Sequence, residues 1–347
     1  KYTYINNKED ILSEIYNILV AGGAGFIGSA LCRNIIESTN DNLIILDKLT
    51  YASNLKSIEN ISKNKRVSFI KGCIGDRVIV EQILLKYSPK HIFNFAAETH
   101  VDNSITDPKS FTKTNISDTH NFIDEILKYF KNLGKNQSEN FRFLQVSTDE
   151  VYGDINLDQK PVDEFAPYRP SSPYAASKAS SDHIIKAYHR TYGFPGIISN
   201  CSNNYGPYQH IEKFIPIIIT SLLKNKKIPI YGSGEQIREW IYIDDHCKAL
   251  LKLIKLGNPG ENYNIGTGKE LKNIDLIKQI IHNLNDLSLI SNSEFDCHVK
   301  FIKDRLGHDK RYAINSIKTR ALCNWEPEIN LDDGLRKTIN YFVNINY

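Results

Sequence analysis

Two side chains that could move a proton together stand one helical turn apart in the sequence. Tyr174 and Lys178 form the pattern Y-x-x-x-K at the start of a stretch whose apolar residues recur at helical spacing. At positions i and i+4 both side chains lie on one face of a helix. An ammonium group beside a phenol stabilises the phenolate and lowers its pKa, so Tyr174 could accept a proton from a substrate hydroxyl. Taken alone, the pattern is more often a tyrosine and a lysine at the surface.

A second reactive group follows a short apolar run at 141–147. There the chain reads Ser147-Thr148-Asp149-Glu150. Ligands bind at the carboxyl ends of strands in open α/β sheets, which favours a site here. Adjacent carboxyls raise each other's pKa, so one could act as an acid while its neighbour acts as a base. The alternative is a solvated turn that caps a helix.

Glycines at a spacing of three indicate a phosphate-binding turn. Gly22, Gly25 and Gly28 lie between the first apolar run and the first helix-like stretch. Such a turn brings backbone N–H groups against a pyrophosphate, and a Cβ atom would block that approach. Asp47, at the end of the second apolar run, is placed to bind the adenosine ribose and to repel a 2′-phosphate, which favours NAD over NADP. Lys48 beside it weakens that preference, and the alternative is a turn with a structural role only.

Short apolar runs alternate with helix-like stretches in the first 200 residues. The runs are 17–20, 42–47, 67–70, 91–97, 141–147 and 196–199, and the helix-like stretches are 26–37, 78–86, 111–130 and 177–192. This alternation predicts an α/β fold with a Rossmann-type doubly wound parallel sheet. After residue 200 the pattern is irregular, apart from an amphipathic helix expected at 275–285. That half predicts a smaller, mixed α/β lobe.

Composition excludes several classes of partner. The chain has 347 residues with 43 Lys and Arg against 40 Asp and Glu, a net charge of +3, which gives no reason to expect a nucleic acid. No run approaches 18 apolar residues, so no membrane span is expected. The stretch 1–10 lacks the apolar core of a secretion signal, and the six cysteines show no C-x-x-C spacing. We therefore expect a cytoplasmic protein with reduced thiols and no bound metal.

Longer motifs carry a resemblance to a known family, and they extend from about residue 18 to residue 345. They read LDKLTYASNL, FAAETHVDNSI, STDEVYGD, SSPYAASKASSDH, NCSNNYGPY, EKFIP, QIREWIYIDDH and DRLGHDKRYAI. With the glycine turn, they resemble the extended short-chain dehydrogenase/reductases, and among these the dTDP-glucose 4,6-dehydratase family. The adjacent Asp149-Glu150 is the distinguishing mark, since the related epimerases lack that pair. The resemblance implies a homodimer that binds NAD and acts on dTDP-glucose, and the stretches 111–130 and 177–192 carry enough apolar surface to pair with a second copy.

The resemblance also implies a role for each reactive residue. Tyr174 would deprotonate the sugar 4-hydroxyl, Lys178 would lower the pKa of Tyr174 and hold the nicotinamide ribose, and Thr148 would bond to the 4-oxygen. Glu150 would remove the C5 proton, and Asp149 would protonate the departing 6-hydroxyl. The product would be a 4-keto-6-deoxy sugar nucleotide.

The binding positions that the resemblance implies fall into two sets. Those for the cofactor are Gly22, Gly25, Phe26, Ile27, Gly28, Asp47, Lys48, Ile74, Ala96, Ala97, Thr99, Tyr174 and Lys178. Those for the nucleotide diphosphate are Asn203, Lys213, Pro229, Tyr231, Arg238, Asn273, Arg305 and His308. Three positions depart from the family pattern: Ala21 and Cys73 replace a Thr and an Asp near the cofactor, and Leu306 replaces a Pro. Each arginine or lysine by itself fits a solvated surface cation.

The expected division of the chain follows these sets. We assign 1–200 to an NAD-binding Rossmann domain, with 237–256 returning to it, and 201–236 and 257–347 to a nucleotide-sugar-binding lobe. One alternative function is a UDP-sugar dehydratase or an epimerase of the same superfamily. Another is an NAD-sensing protein without turnover, which predicts that at least one of the catalytic residues is missing; all five are present.

Overall fold

The computed structural model of the protein describes residues 15–292 and 294–345. The strands of this part are β1 (Asn17–Ala21), β2 (Asn42–Asp47), β3 (Val67–Lys71), β4 (His91–Asn94), β5 (Arg142–Thr148), β6 (Gly196–Cys201), β7 (Asn203–Tyr205), β8 (Ile228–Tyr231), β9 (Ile237–Tyr242), β10 (Asn262–Ile265), β11 (Glu270–Lys272) and β12 (Val299–Ile302). The helices are α1 (Phe26–Ser38), α2 (Arg77–Tyr87), α3 (Val101–Thr106), α4 (Pro108–Phe111), α5 (Thr119–Lys131), α6 (Lys135–Ser138), α7 (Pro173–Tyr192), α8 (Phe214–Leu223), α9 (Ile243–Leu256), α10 (Asn273–Asp286), α11 (Phe295–His298), α12 (Ile317–Cys323) and α13 (Leu331–Asn344). A π-helical segment covers Thr112–Asp118, and 3₁₀ turns cover Leu55–Ile58 and Asp149–Tyr152.

A parallel sheet of seven strands organises the fold. Its order is β10-β6-β5-β4-β1-β2-β3, and every neighbouring pair is parallel. The inner strands are rich in Ile, Leu, Val and Phe and are buried on both faces, as a sheet covered by helices requires. The chain order reverses between β1 and β4, which opens a crevice at the carboxyl ends of these strands. The predicted Rossmann-type fold is confirmed.

The helix that carries the Y-x-x-x-K pattern begins earlier than its apolar spacing predicts. Helix α7 starts at Pro173 instead of residue 177, because Pro173 suits the first helical position and Ser172 caps the helix. The Ser172 hydroxyl accepts a hydrogen bond from Ala175 N at 3.1 Å. Tyr174 therefore lies in the first turn of the helix, close to the end of the central sheet.

Two other predicted elements differ from those observed. The predicted helix 111–130 corresponds to the end of α4, the π-helical segment and α5 in succession. The π-helical segment contains more residues per turn than an α-helix does. Within the π-helical segment, Asn115 Nδ2 donates to Glu98 O at 3.0 Å and to Ser177 Oγ at 2.8 Å, which ties it to α7. The predicted strand 91–97 ends at Asn94, and the three residues that follow leave the sheet.

The second half of the chain adds smaller sheets and further helices. Strands β11, β9 and β7 form one sheet, and β12 pairs with β8 in another. Helix α9 packs on α1, and β10 joins the large sheet beside β6. None of the helices in the described ranges combines the length and apolar character that a membrane crossing requires. The stretch 1–10, on which the expectation of no secretion signal rests, lies outside the described residues.

Candidate active site

The glycine turn joins β1 to α1 and leaves no room for side chains at two positions. Gly22 has a φ of +77°, and a Cβ atom there would lie 2.6 Å from Ala96 N. A Cβ atom on Gly28 would lie 2.3 Å from Gly22 O. Gly25 is the N-cap of α1 and supplies no side-chain oxygen for the first N–H groups of that helix. A pyrophosphate fits this turn, since unsatisfied N–H groups and the helix dipole favour an anion.

Asp47, the last residue of β2, stabilises the glycine turn through hydrogen bonds to its carboxylate. Its Oδ2 accepts a hydrogen bond from Ala24 N at 2.9 Å. Its Oδ1 accepts from Leu49 N at 2.8 Å and from Ser53 Oγ at 2.9 Å. A carboxylate can accept about four hydrogen bonds, so Asp47 retains capacity for a ribose hydroxyl in addition to its structural role.

A carboxylate lies beside the position where the family pattern has an aspartate. Cys73 follows β3, and its Sγ is 3.6 Å from Asp118 Oδ2. Asp118 ends the π-helical segment, is buried, and accepts from Lys113 Nζ at 2.8 Å. Sequence analysis could not predict this contact, because Asp118 is 45 residues away from Cys73 and no spacing pattern links the two. Ile74, the neighbouring predicted cofactor position, is buried in a hydrophobic cluster that includes Leu46 of β2 and Val80 of α2.

The other predicted cofactor positions lie around the same turn. The segment after β4 holds Ala96 and Ala97 and passes directly over Gly22. Lys48 Nζ is 3.5 Å from Glu98 Oε1, so the charge that weakened the NAD preference is offset by an ion pair. Phe26 and Ile27 begin α1 and pack against the core beneath it.

The strand-end motif forms a tight turn. Thr148 is the last residue of β5, and its Oγ1 accepts a hydrogen bond from Glu150 N at 3.3 Å. Thr148 Oγ1 is also 3.3 Å from Asp149 Oδ1. Thr148 therefore caps the short 3₁₀ turn Asp149–Tyr152, as the alternative interpretation expected. The same cap holds both acids of the motif at the edge of the sheet.

The two carboxyls differ in their surroundings. Asp149 is 2% exposed, and its Oδ2 has no hydrogen-bond partner among the described residues. Burial raises the pKa of Asp149 well above its usual range, and the charges of Glu150 and Glu239 raise it further. Burial also raises the pKa of Glu150, but Arg238 and Arg305 oppose that rise. Asp149 is therefore the better proton donor of the pair and Glu150 the better base.

Tyr174 and Lys178 lie together in α7, as the spacing predicts. Both are buried, and Lys178 Nζ donates to Val146 O at 2.8 Å. Burial raises the pKa of Tyr174, and the charge of Glu150 adds to this. In the protein chain by itself, desolvation of the phenolate dominates, and the lowering of the Tyr174 pKa by Lys178 stays a prediction. The positive charge of an oxidised nicotinamide would act in the opposite direction.

A buried carboxylate that the sequence analysis missed lies one turn beyond Lys178. Asp182 Oδ2 accepts from Ser147 Oγ at 2.7 Å, from Tyr168 OH at 3.2 Å and from Asn200 Nδ2 at 3.4 Å. Burial raises the pKa of Asp182 to about 6, opposed by the charge of Lys178. The i+4 spacing from Lys178 within the motif SSPYAASKASSDH was the available signal.

Three of the predicted nucleotide-binding cations and phenols meet near the start of α3. Lys213 Nζ donates to Thr99 O at 2.9 Å. Tyr231 OH donates to Asp102 Oδ2 at 3.1 Å, and Arg305 Nη1 is 3.7 Å from Asp102 Oδ1. These contacts join the segment after β4 to the second half of the chain, across the carboxyl end of the large sheet.

The remaining predicted substrate positions are spread over several elements. Asn203 begins β7, Pro229 lies in β8, Asn273 begins α10, and His308 follows β12. The His308 ring lies edge-on to Tyr231, with ring centroids 6.2 Å apart, and its Nδ1 is 2.7 Å from Asp304 Oδ1. Asn273 Oδ1 is buried and has no hydrogen-bond partner among the described residues, which leaves it available to a ligand.

Arg238 is held by the protein main chain. Its Nη1 donates to Ile237 O at 2.7 Å and its Nη2 to Asp309 O at 2.8 Å. Its guanidinium carbon lies 4.1 Å above the ring of Tyr312. The charge of Arg238 acts on Glu150, as do the charges of Arg305 and Lys213. The predicted contact of Arg238 with a diphosphate stays a prediction.

Comparison with known proteins supplies the family. A family model described as GDP-mannose 4,6 dehydratase matches residues 19–338. The dTDP-glucose 4,6-dehydratase of Escherichia coli is 46% identical over 340 residues, which cover 94% of this chain and 93% of that protein. The crystal structure of DesIV, a dTDP-glucose 4,6-dehydratase of Streptomyces venezuelae with NAD and TYD bound, has a TM-score of 0.86 at 38% identity and covers 94% of this chain and 97% of its own.

An epimerase with the same fold is more distant in sequence. The UDP-glucose 4-epimerase of Thermotoga maritima with UDP-glucose has a TM-score of 0.83 at 27% identity, and covers 95% of this chain and 100% of its own. The fold is shared almost equally with both enzymes, so the higher sequence identity to DesIV and to the E. coli protein is what favours the dehydratases over the epimerase. The chain belongs to the dTDP-glucose 4,6-dehydratase family, within the wider family described as GDP-mannose 4,6 dehydratase.

Proposed function

We propose that this protein is an NAD-dependent dehydratase that converts dTDP-glucose to dTDP-4-keto-6-deoxyglucose and water. The observation that carries this conclusion is the acid pair Asp149–Glu150, with Asp149 buried and Glu150 half-buried, which follows the end of β5 near Tyr174. An enzyme that only oxidises and reduces one carbon has no need of two further carboxyls in that position. Elimination of water needs both an acid and a base.

The residues divide the reaction among them. NAD, when bound, would accept a hydride from C4 and later supply that hydride to C6. Tyr174 accepts the proton of the 4-hydroxyl, and Thr148 bonds to the same oxygen. The resulting 4-ketone acidifies the C5 proton, which Glu150 removes while Asp149 gives its proton to the departing 6-hydroxyl. Glu150 then returns the proton to C5. Proton exchange with solvent takes the proton from Tyr174 and restores that of Asp149 before the next turnover.

The order of these steps is physically required. Loss of water from an unactivated hexose would be slow, because the C5–H bond is barely acidic. Temporary oxidation at C4 lowers that barrier, and the reduction at C6 restores the cofactor. The raised pKa of Asp149 suits this order, since Asp149 must still hold its proton when the 6-hydroxyl departs.

The group around Asp102 supports a site for the nucleotide diphosphate. Lys213 and Arg305 bring two positive charges to one edge of the cleft, and Tyr231 adds a hydroxyl. Guanidinium and ammonium groups of this kind bind phosphate oxygens. We assign 201–236 and most of 257–347 to nucleotide-sugar binding, and 1–200 with 237–256 to NAD binding. Strand β10 goes with the NAD-binding part because it pairs with β6.

We also propose a homodimer that works in the cytoplasm. The long helices α5 and α7 lie side by side, and the stretches 111–130 and 177–192, which they overlap, are predicted to pair with a second copy.

The six cysteines are free thiols, four of them buried, as expected for a reducing compartment. Light scattering coupled to size-exclusion chromatography would test the dimer, and a monomer at micromolar concentration would contradict it.

Mass spectrometry of the reaction products tests the proposed function. The purified protein is incubated separately with dTDP-glucose and with UDP-glucose, each with and without added NAD. We expect dTDP-glucose to lose one water, and UDP-glucose to react more slowly. No change in mass of either substrate in the presence of NAD would contradict the dehydratase, and faster loss of water from UDP-glucose would assign a uridine nucleotide instead.

A further inference from the structure

A short segment of the second half of the chain lies directly behind the catalytic turn. Ile237 N donates to Lys310 O at 2.7 Å, and Tyr312 N donates to Ile237 O at 3.2 Å, so the segment pairs with the start of β9. On its other side, Lys310 N and Arg311 N donate to Asp154 Oδ1 at 2.8 and 2.9 Å. The segment is therefore fixed on both sides, and one side is the loop that follows Glu150.

The Tyr312 side chain points from this segment to the catalytic base. Its hydroxyl is 2.8 Å from Asp309 Oδ2 and 3.5 Å from Glu150 Oε2. The residue is 5% exposed, and the guanidinium of Arg238 covers one face of its ring. Burial and the charge of Glu150 raise the pKa of Tyr312, so the phenol keeps its single proton.

The position of that proton follows from the two distances. The phenol could donate to either carboxylate but has only one proton, and we assign that proton to Asp309 because this contact is the shorter of the two. The phenol oxygen therefore faces Glu150 as an acceptor. It can accept a hydrogen bond from Glu150 only when Glu150 is protonated, which is the state of Glu150 after it has removed the C5 proton.

We propose that Tyr312 and Asp309 are positioning residues for Glu150: they hold its carboxyl in place and favour its protonated form during removal of the C5 proton. The inference rests on the proposed dehydratase function. No proton leaves the group of three. The C5 proton moves to Glu150, whose O–H then donates to the Tyr312 oxygen, while the Tyr312 O–H continues to donate to the Asp309 carboxylate. The electron pair of the C5–H bond forms the C5–C6 double bond as the 6-hydroxyl leaves with the proton of Asp149.

Other charged and titratable groups also surround Glu150 and affect its protonation together with Tyr312. They are Asp149 on its own turn, Tyr174 on α7, Arg238 on β9, Lys213 at the N-terminus of α8, and Arg305 and Asp309 in the loop after β12. Among these, Arg238, Arg305 and Lys213 favour the ionised form of Glu150. Tyr312 and Asp309 act in the opposite direction, because a carboxyl that accepts a carbon-bound proton must be stabilised after it has done so.

The test is Tyr312→Phe in the NAD-loaded enzyme, followed in a single turnover with dTDP-glucose. Formation of NADH reports oxidation at C4, and its disappearance reports the elimination that must precede reduction at C6. We expect formation to stay within about twofold of wild type and disappearance to slow by about tenfold, the effect of losing one hydrogen bond to a reacting group. The acidic limb of the pH profile for disappearance should move to lower pH, because the protonated form of Glu150 is less favoured.

Two further variants make the outcome decisive. Tyr263→Phe removes the hydroxyl of another buried tyrosine, which lies 3.1 Å from Glu261 Oε2 and, within the described residues, makes no hydrogen bond with either acid, and it should leave both phases unchanged. Asp309→Asn keeps an acceptor but removes its charge, and it should slow the disappearance of NADH by less than Tyr312→Phe does. If Tyr312→Phe fails to fold, Asp309→Asn provides the same test.

Two results would overturn the proposal. One is an unchanged rate of NADH disappearance with an unchanged acidic limb. The other is an equal slowing of formation and disappearance, which indicates a general disturbance of the site. A wild-type enzyme that leaves dTDP-glucose intact would instead reject the proposed function itself.

Discussion

At the scale of single residues, differences in burial and in nearby charge distinguish the neighbouring carboxyls of Asp149 and Glu150. Asp149 and Glu150 are adjacent in the chain, but only Asp149 has both a buried carboxyl and an oxygen without a partner among the described residues. The cations Arg238 and Arg305 act on Glu150 in the direction of its ionised form. The environment, and not the residue type, thus favours the proposed roles of Asp149 as the acid and Glu150 as the base.

Replacement of Asp149 by Asn should separate oxidation from elimination. The amide fills the same space but cannot give a proton to the departing 6-hydroxyl. We expect product formation to fall by about 10²–10⁴-fold, the usual contribution of a general acid, while NADH still forms in the first turnover. Stopped-flow absorbance and mass spectrometry measure the two steps. Asp158→Asn, an exposed change a few residues along, is the control, and full turnover by Asp149→Asn would remove Asp149 from the mechanism.

Replacement of Asp182 by Asn should change how stability depends on pH. The pKa of Asp182 is about 6 in the folded chain, above the value of an unfolded aspartate. The folded state therefore binds this proton more tightly, and the stabilisation is fully present below about pH 4 and is lost as the pH rises through 6.

Denaturant titration of the wild type and of Asp182→Asn at several pH values checks this sign. The free energy of unfolding of the wild type, relative to that of the variant, should fall by roughly 2–3 kcal/mol between about pH 4 and pH 7. The exposed variant Asp158→Asn should show no such trend. A difference between wild type and Asp182→Asn that is constant with pH would show that the carboxyl does not titrate in this range.

Local spacing reveals only some of these residues. Tyr174 and Lys178 are four apart on one helix, so their meeting is visible in the sequence. Tyr312 is 162 residues from Glu150, and no periodicity links the two. The direction of the pKa of Tyr174 was also beyond the sequence, because the cost of burying a phenolate depends on atoms that only folding assembles around it.

At the scale of elements, the alternation of runs and helix-like stretches was sufficient to predict the central sheet. The order of its strands was not predicted, because the general right-handedness of parallel connections fixes the face on which each helix packs and not which strands are neighbours. Helix ends were less predictable, since α7 starts at a capping serine and a proline instead of at its first apolar repeat. The π-helical segment was not predicted, since the stretch 111–130 is predicted as one regular helix.

Replacement of Gly28 by Ala should disrupt the phosphate-binding turn. The new Cβ would lie 2.3 Å from Gly22 O, which is backbone and cannot rotate away. We expect a loss of roughly 1–3 kcal/mol in stability from overpacking and at least tenfold weaker NAD binding, since the turn must shift. Gly134→Ala is the matched control, because nothing lies within 4 Å of its Cβ and its φ is −63°. Calorimetric titration with NAD and thermal unfolding measure both effects, and equal NAD affinity in the two variants would contradict the role of the turn.

At the scale of the whole molecule, the two halves of the chain meet across the site. The segment after β4 reaches the nucleotide-binding residues through Asp102, which accepts from Tyr231 and lies near Arg305. A diphosphate would bring further negative charge to the same arginine. In the proposed site, Asp102 and the diphosphate compete for one guanidinium, so we expect nucleotide binding to weaken the contact between the halves.

Replacement of Asp102 by Asn should strengthen binding of dTDP. The change removes a carboxylate 3.7 Å from Arg305 Nη1, and at an effective dielectric constant between protein surface and water it removes about 1 kcal/mol of repulsion from the ligand, close to a fivefold lower Kd. Asp107→Asn, an exposed change on the same segment, should bind dTDP as the wild type does. The gain should shrink at high salt, since screening weakens the removed repulsion. Calorimetric titration of the NAD-loaded enzyme with dTDP measures these affinities, and weaker binding by Asp102→Asn would mean that Asp102 orients Arg305 for the nucleotide instead of competing for it.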